Sequence, residues 1–89
     1  MYDHSDYQNV DGVTLNSLDL FAQDGIPPGS FGKAVLTNDL KEACARADYN
    51  NQSNLYSIVE YCWNELPMTC WGSPEAYRNW MEAKREQGE

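Results

Sequence analysis

Basic side chains are scarce in this sequence. Six Lys and Arg stand against 14 Asp and Glu, and the formal charge is −8. A surface of that sign is repelled by nucleic-acid phosphates and by anionic membranes, so direct binding to either is not expected. The shortage is sharpest at the start, where the first 24 residues hold Asp3, Asp6, Asp11, Asp19 and Asp24 and no Lys or Arg. That segment reads as a solvated acidic face, or as a surface for a basic protein partner. Histidine occurs once, as His4, in a stretch without helical periodicity, which argues against a positioned general base or a Cys-His pair. Cysteine is also sparse. Cys44, Cys62 and Cys70 are odd in number and lack metal-ligand spacing, and two of them fall on apolar helix positions, so shielded free thiols are expected rather than disulfides. HExxH, P-loop and EF-hand motifs are missing, and no metal, cofactor or catalytic residue is expected. No apolar run approaches a membrane span and no secretory-type core is read at the start, so the cytoplasm is the expected compartment.

A chain of 89 residues has room for one core, and one domain over 1–89 is expected. Such a domain buries only about two thirds of its unfolded surface, so self-association is an expected source of further stability. The periodicity predicts an all-α bundle of about four helices behind a weakly packed arm, residues 1–13. The first helix spans about Thr14 to Asp24, with Gly25 as a left-handed C-terminal residue and Ile26 folding back on it. The segment GIPPGSFG, 25–32, is a structured turn, because its prolines fix φ while its glycines open other conformations. Ser30 then caps a second helix running to about Ala47, with Glu42 and Arg46 paired one turn apart. Leu55, Ile58, Val59, Cys62 and Leu66 give the clearest helical stripe, ended by Pro67. Tyr56 and Tyr61 lie off that stripe and Trp63 at its edge, the mark of a helix with two contact surfaces. The last helix opens on Ser73-Pro74-Glu75 and directs Tyr77, Trp80, Met81 and Lys84 inward.

Two constellations stand out as candidate ligand sites. Pro28, Gly29 and Ser30 begin the second helix, where unpaired N–H groups and the positive dipole end suit an anion, and Lys33 adds charge in the first turn. The plain alternative is a tight turn between helices. Asn38, Asp39, Arg46, Asp48, Asn50 and Asn51 form a polar cluster in which an Arg among acids and amides suits planar hydrogen-bonded recognition. Ordinary helix capping explains the same residues equally well. Trp71, in a glycine-containing loop, offers a stacking surface.

IPPGSF at 26–31, NDL at 38–40, RAD at 46–48 and WGSP at 71–74 carry a resemblance to a family of small proteins encoded by tailed bacteriophages and prophages. The resemblance spans Gly25 to Trp80, about two thirds of the chain. It implies phage origin and expression in a bacterial host, and it carries over no catalytic residues. Small non-structural phage proteins often block host antiviral systems, an analogy independent of fold. Together these readings lead to a non-catalytic counter-defence protein in the host cytoplasm, an oligomer that sequesters a small phosphorylated or nucleotide-like signal. Its ligand set would be Pro28, Gly29, Ser30, Lys33, Asn38, Arg46, Asp48, Asn51 and Trp71. The alternatives are an acidic inhibitor, in the manner of a nucleic-acid mimic, that binds a host defence protein directly, and an accessory scaffold protein.

Overall fold

Helix caps set the order of elements. The computed structural model describes residues 3–87. Asp11 accepts the Val13 N–H at 3.0 Å and starts α1, Gly12–Asp24. Gly25, at φ 71°, stops it and donates its N–H to the Phe21 carbonyl at 2.9 Å. An added Cβ there would meet the Lys84 Cβ at 2.6 Å, so the glycine serves both the turn and the close approach of the last helix. Ile26 stays exposed instead of covering the cap. After the PPG turn come α2, Ser30–Leu36, and α3, Leu40–Arg46, then α4, Tyr49–Ser53, α5, Leu55–Glu65, and α6, Pro74–Gln87. Short 3-10 turns occupy Ser5–Tyr7 and Met68–Cys70. Among the described residues there is no strand.

The all-α class is as expected, but the α-helices among the described residues number six, because two local signals outweigh the apolar spacing. Asn38 takes a left-handed φ of 62°, a conformation asparagine tolerates, and so divides the long second helix. Asp39 then caps α3 by accepting the Glu42 N–H at 3.1 Å. Asp48 caps the extra short helix α4 through the Asn51 N–H at 2.9 Å. Ser30 is the first helical residue of α2, and Gly29 holds the cap position without a side-chain bond. The expected serine cap is therefore displaced by one residue.

Ile58, Tyr61 and Cys62 of α5 lie at the centre of the core with Leu15, Leu18 and Phe21 of α1 and Leu36 of α2. Tyr77 of α6 stacks on Phe21 with ring centroids 4.7 Å apart. Trp80 donates its indole N–H to the Ala22 carbonyl at 3.0 Å, so α6 closes the end of α1 with both a ring and a hydrogen bond. The weakly packed arm is corrected for its described part, residues 3–13. Tyr7 and Val10 are buried in the core, and the Asp11 N–H donates to the Asn50 side-chain oxygen at 3.0 Å. Asn50 also donates its side-chain amide to the Asn9 carbonyl at 3.2 Å. Residues 1 and 2 lie outside the described part.

Candidate functional site

The two sequence constellations meet around Arg46. Gly29, Ser30, Arg46, Asp48 and Asn51 line one open groove between the PPG turn and the α3–α4 junction. Ser30, Lys33 and Arg46 line a second hollow beside it, together with Asp39 and Glu42. Pro28 stays at the turn, packed so closely over Gly32 that a Cβ there would meet the Pro28 Cβ at 2.7 Å. Asn38 and Trp71 are elsewhere, around a different hollow with Val59.

The groove is electrically mixed. Arg46 is exposed and donates its Nε–H to Glu42 at 2.8 Å, the pairing expected at i,i+4. Asp39, Glu42 and Asp48 put three carboxylates along the same two hollows as Lys33 and Arg46. Asn51 is buried, and its side-chain oxygen accepts the Thr14 hydroxyl at 3.1 Å. Asp48 and Asn51 are thus engaged in capping and in holding α4 to α1. α2, at 7 residues, brings little dipole to its N-terminus.

A second surface lies on the outer side of α5. Tyr56 is 79% exposed, Trp63 68% and Met68 76%, and Val59 lies between them at 37%. Tyr56, Val59 and Trp63 recur at i, i+3 and i+7 and form one outer stripe; Val59, expected in the core stripe, is exposed because the buried face of α5 is turned toward Tyr61, with Ile58, Cys62 and Leu66. Three shallow hollows share Val59: one toward Leu40 and Leu55, one toward Met68 and Trp71, one between Tyr56 and Trp63. The off-stripe aromatics were the signal in the sequence, but they do not act alike. Tyr61 is fully buried under the N-terminal segment, whereas Tyr56 and Trp63 face solvent.

A third cluster joins residues that no spacing in the sequence connects. Asp19, only 3% exposed, accepts the Tyr61 hydroxyl and holds His4 Nε2 at 2.7 Å. The His4 and Tyr7 rings both meet Tyr61 edge-on, at 5.4 and 5.0 Å. His4 is therefore positioned, contrary to the expectation drawn from its loose-looking neighbourhood. Burial, and next the hydrogen bond to Asp19, push the Tyr61 phenol well above its ordinary ionisation range. The arrangement fastens the N-terminal segment over α1 and α5. It offers no activated nucleophile, because the Tyr61 proton is locked in place.

The three cysteines are free and mostly shielded, as expected: Cys62 and Cys70 are buried, while Cys44 is exposed. Cys44 falls on the outer side of α3, next to the buried Ala43. Burial pushes the Cys70 thiol up to about 11, and burial, with neighbouring Cys70 next, pushes Cys62 up further. Both remain protonated near neutrality and neither presents a thiolate. Among the described residues, no three His, Cys, Asp or Glu are grouped to hold a metal, and no helix is long and apolar enough to cross a membrane.

No protein-family model, no curated protein and no solved structure matches this chain.

Proposed function

We propose that the chain is a non-catalytic binding protein of bacteriophage origin that acts in the host cytoplasm by covering a protein of the antiviral defence. The phage setting rests on the resemblance of the IPPGSF, NDL, RAD and WGSP segments, and the step to counter-defence is analogy. The observation that carries the binding mode is the exposed stripe of Tyr56, Val59 and Trp63, continued by Met68. Trp, Tyr and Met are the side chains enriched at protein interfaces, and a contiguous apolar face of this kind marks a contact surface.

Sequestration of a phosphorylated or nucleotide-like signal by an oligomer is the second reading. It is favoured by the meeting of Gly29, Ser30, Lys33 and Arg46 around adjoining hollows. Three carboxylates share those hollows, and Glu42 already occupies Arg46, so a phosphate would enter against like charge. We therefore rank protein covering first.

A photo-crosslinking residue placed at Tyr56, in chain expressed in a bacterial host, tests the choice. It should join the chain to a host protein, and Trp63→Ala should abolish the product. In parallel, a pool of bacterial nucleotides should leave the melting temperature unchanged. A ligand at about 100 times its dissociation constant would add about 2.7 kcal/mol of stability. Such a gain, lost in Arg46→Glu and accompanied by a ligand-bound oligomer in native mass spectrometry, would establish sequestration instead.

A further inference from the structure

We infer that the outer face of α5 receives a cationic amphipathic helix of its partner, because an apolar floor runs between carboxylates and, among the described residues, no basic side chain lines it. This inference rests on the protein-covering reading and specifies the partner's chemistry. The floor consists of Tyr56, Val59 and Trp63 along α5, joined by Leu40, Met68 and Trp71. Asp39 borders one hollow and Glu60 another, and among the described residues no Lys, Arg or His lines any of the three. From Tyr56 to Trp63 the floor extends about 10 Å at 1.5 Å per residue, roughly two turns of helix. A docked helix lays an i, i+3, i+4, i+7 apolar edge along such a groove.

Charge decides among the occupants. A second copy would bring its own Asp39 and Glu60 against the same carboxylates, with −8 on each chain. An acidic partner meets the same repulsion. A helix with Lys or Arg flanking a Leu or Phe edge buries the aromatics and places its cations beside the two acids. Such complementarity acts mainly on the rate of encounter, while the aromatic floor sets the lifetime of the complex.

Two synthetic helical peptides test this, one with Lys beside a Leu and Phe edge, the other identical but with Glu for Lys. Binding to the full chain and its variants is followed by the anisotropy of a fluorescent label on the peptide, at equilibrium and in stopped flow, with tryptophan emission recorded for the parent chain. The Lys peptide should bind with a blue shift of the exposed tryptophan emission, and the Glu peptide at least about tenfold more weakly. Association should slow between about 0.1 M and about 1 M salt, over which the screening length falls from about 10 to about 3 Å. Trp63→Ala, an exposed position that leaves the core intact, should weaken the Lys peptide about thirtyfold, the size of an aromatic hot spot. Glu60→Lys should narrow or reverse the preference between the peptides. Equal binding of both peptides, each lost in Trp63→Ala, overturns the cationic-partner inference and leaves the protein-covering surface standing. No peptide binding at all, with Tyr56 still crosslinking to a host protein in cells, overturns this inference alone. A dimer in sedimentation that Trp63→Ala dissociates also overturns it, with a second copy as the occupant.

Discussion

Replacing Tyr61 by Phe removes one hydroxyl from the centre of the molecule and nothing else. The ring keeps its edge contacts with His4 and Tyr7, and the core keeps its volume. Asp19, at 3% exposure, loses one of its two side-chain donors and keeps His4 at 2.7 Å. A hydrogen bond to a charged group contributes about 1.5 to 3 kcal/mol, and the buried carboxylate has little access to water that could replace it. Each kcal/mol moves the melting point of so small a domain by about 4 to 8 °C, so a fall of at least about 6 °C is expected in calorimetry at neutral pH. Urea unfolding should give the same loss with an unchanged slope. The alkaline limb supplies an independent check. Tyr61 in the folded chain keeps its proton far above the ordinary value of 10.0 at which the unfolded chain releases it. Above pH 10 the folded state thus binds more protons than the unfolded one, and stability falls by up to about 1.4 kcal/mol per pH unit. Tyr61→Phe lacks this contribution, so parent and variant should converge above pH 10. A loss under about 1 kcal/mol at neutral pH, or parallel curves through the alkaline range, would refute the buried Asp19–Tyr61 bond.

Gly25→Ala should cost at least about 2 kcal/mol. The left-handed φ of 71° alone is worth about 1 to 2 for a residue with a Cβ, and the Lys84 stem 2.6 Å away must also shift. Native thiol labelling should modify Cys44 rapidly and leave Cys62 and Cys70 unreacted until the chain opens; fast labelling of all three would contradict their burial. Cys70 binds its proton to about 11 when folded and to 9.0 when unfolded, so its share of stability should fade between pH 9 and 11. Cys70→Ala should flatten that part of the curve. Ile58→Ala, at a fully buried site, should cost about 2 to 5 kcal/mol, and Leu55→Ala distinctly less because Leu55 is only half-buried. Equal losses would mean that the α5 stripe is rotated from its observed position.

What the sequence determined by itself is local. Gly25 ends α1 because a residue without a Cβ takes the left-handed turn, and the Ile58 and Cys62 stripe puts α5 in the core. Ser73, whose hydroxyl accepts the Ala76 N–H at 3.0 Å, starts α6 as its type predicts. Even the division of the second helix was written in Thr37-Asn38-Asp39, a turn and cap signal that the apolar spacing on either side concealed. The polar cluster around Asp48 was legible in two ways, and its caps and its Thr14–Asn51 bond show the structural use of those residues. Tertiary structure alone decided which aromatics are buried. Tyr61 and Trp63 are two positions apart and similar in amphipathic character, yet one is sealed in and the other faces solvent. The difference lies in Asp19, 42 residues away, and in the N-terminal segment that brings His4 and Tyr7 over Tyr61. Periodicity reports the face a residue occupies on its own helix, whereas a buried carboxylate and its donors become neighbours only when separate segments pack, because each is stable out of water only in the company of the others.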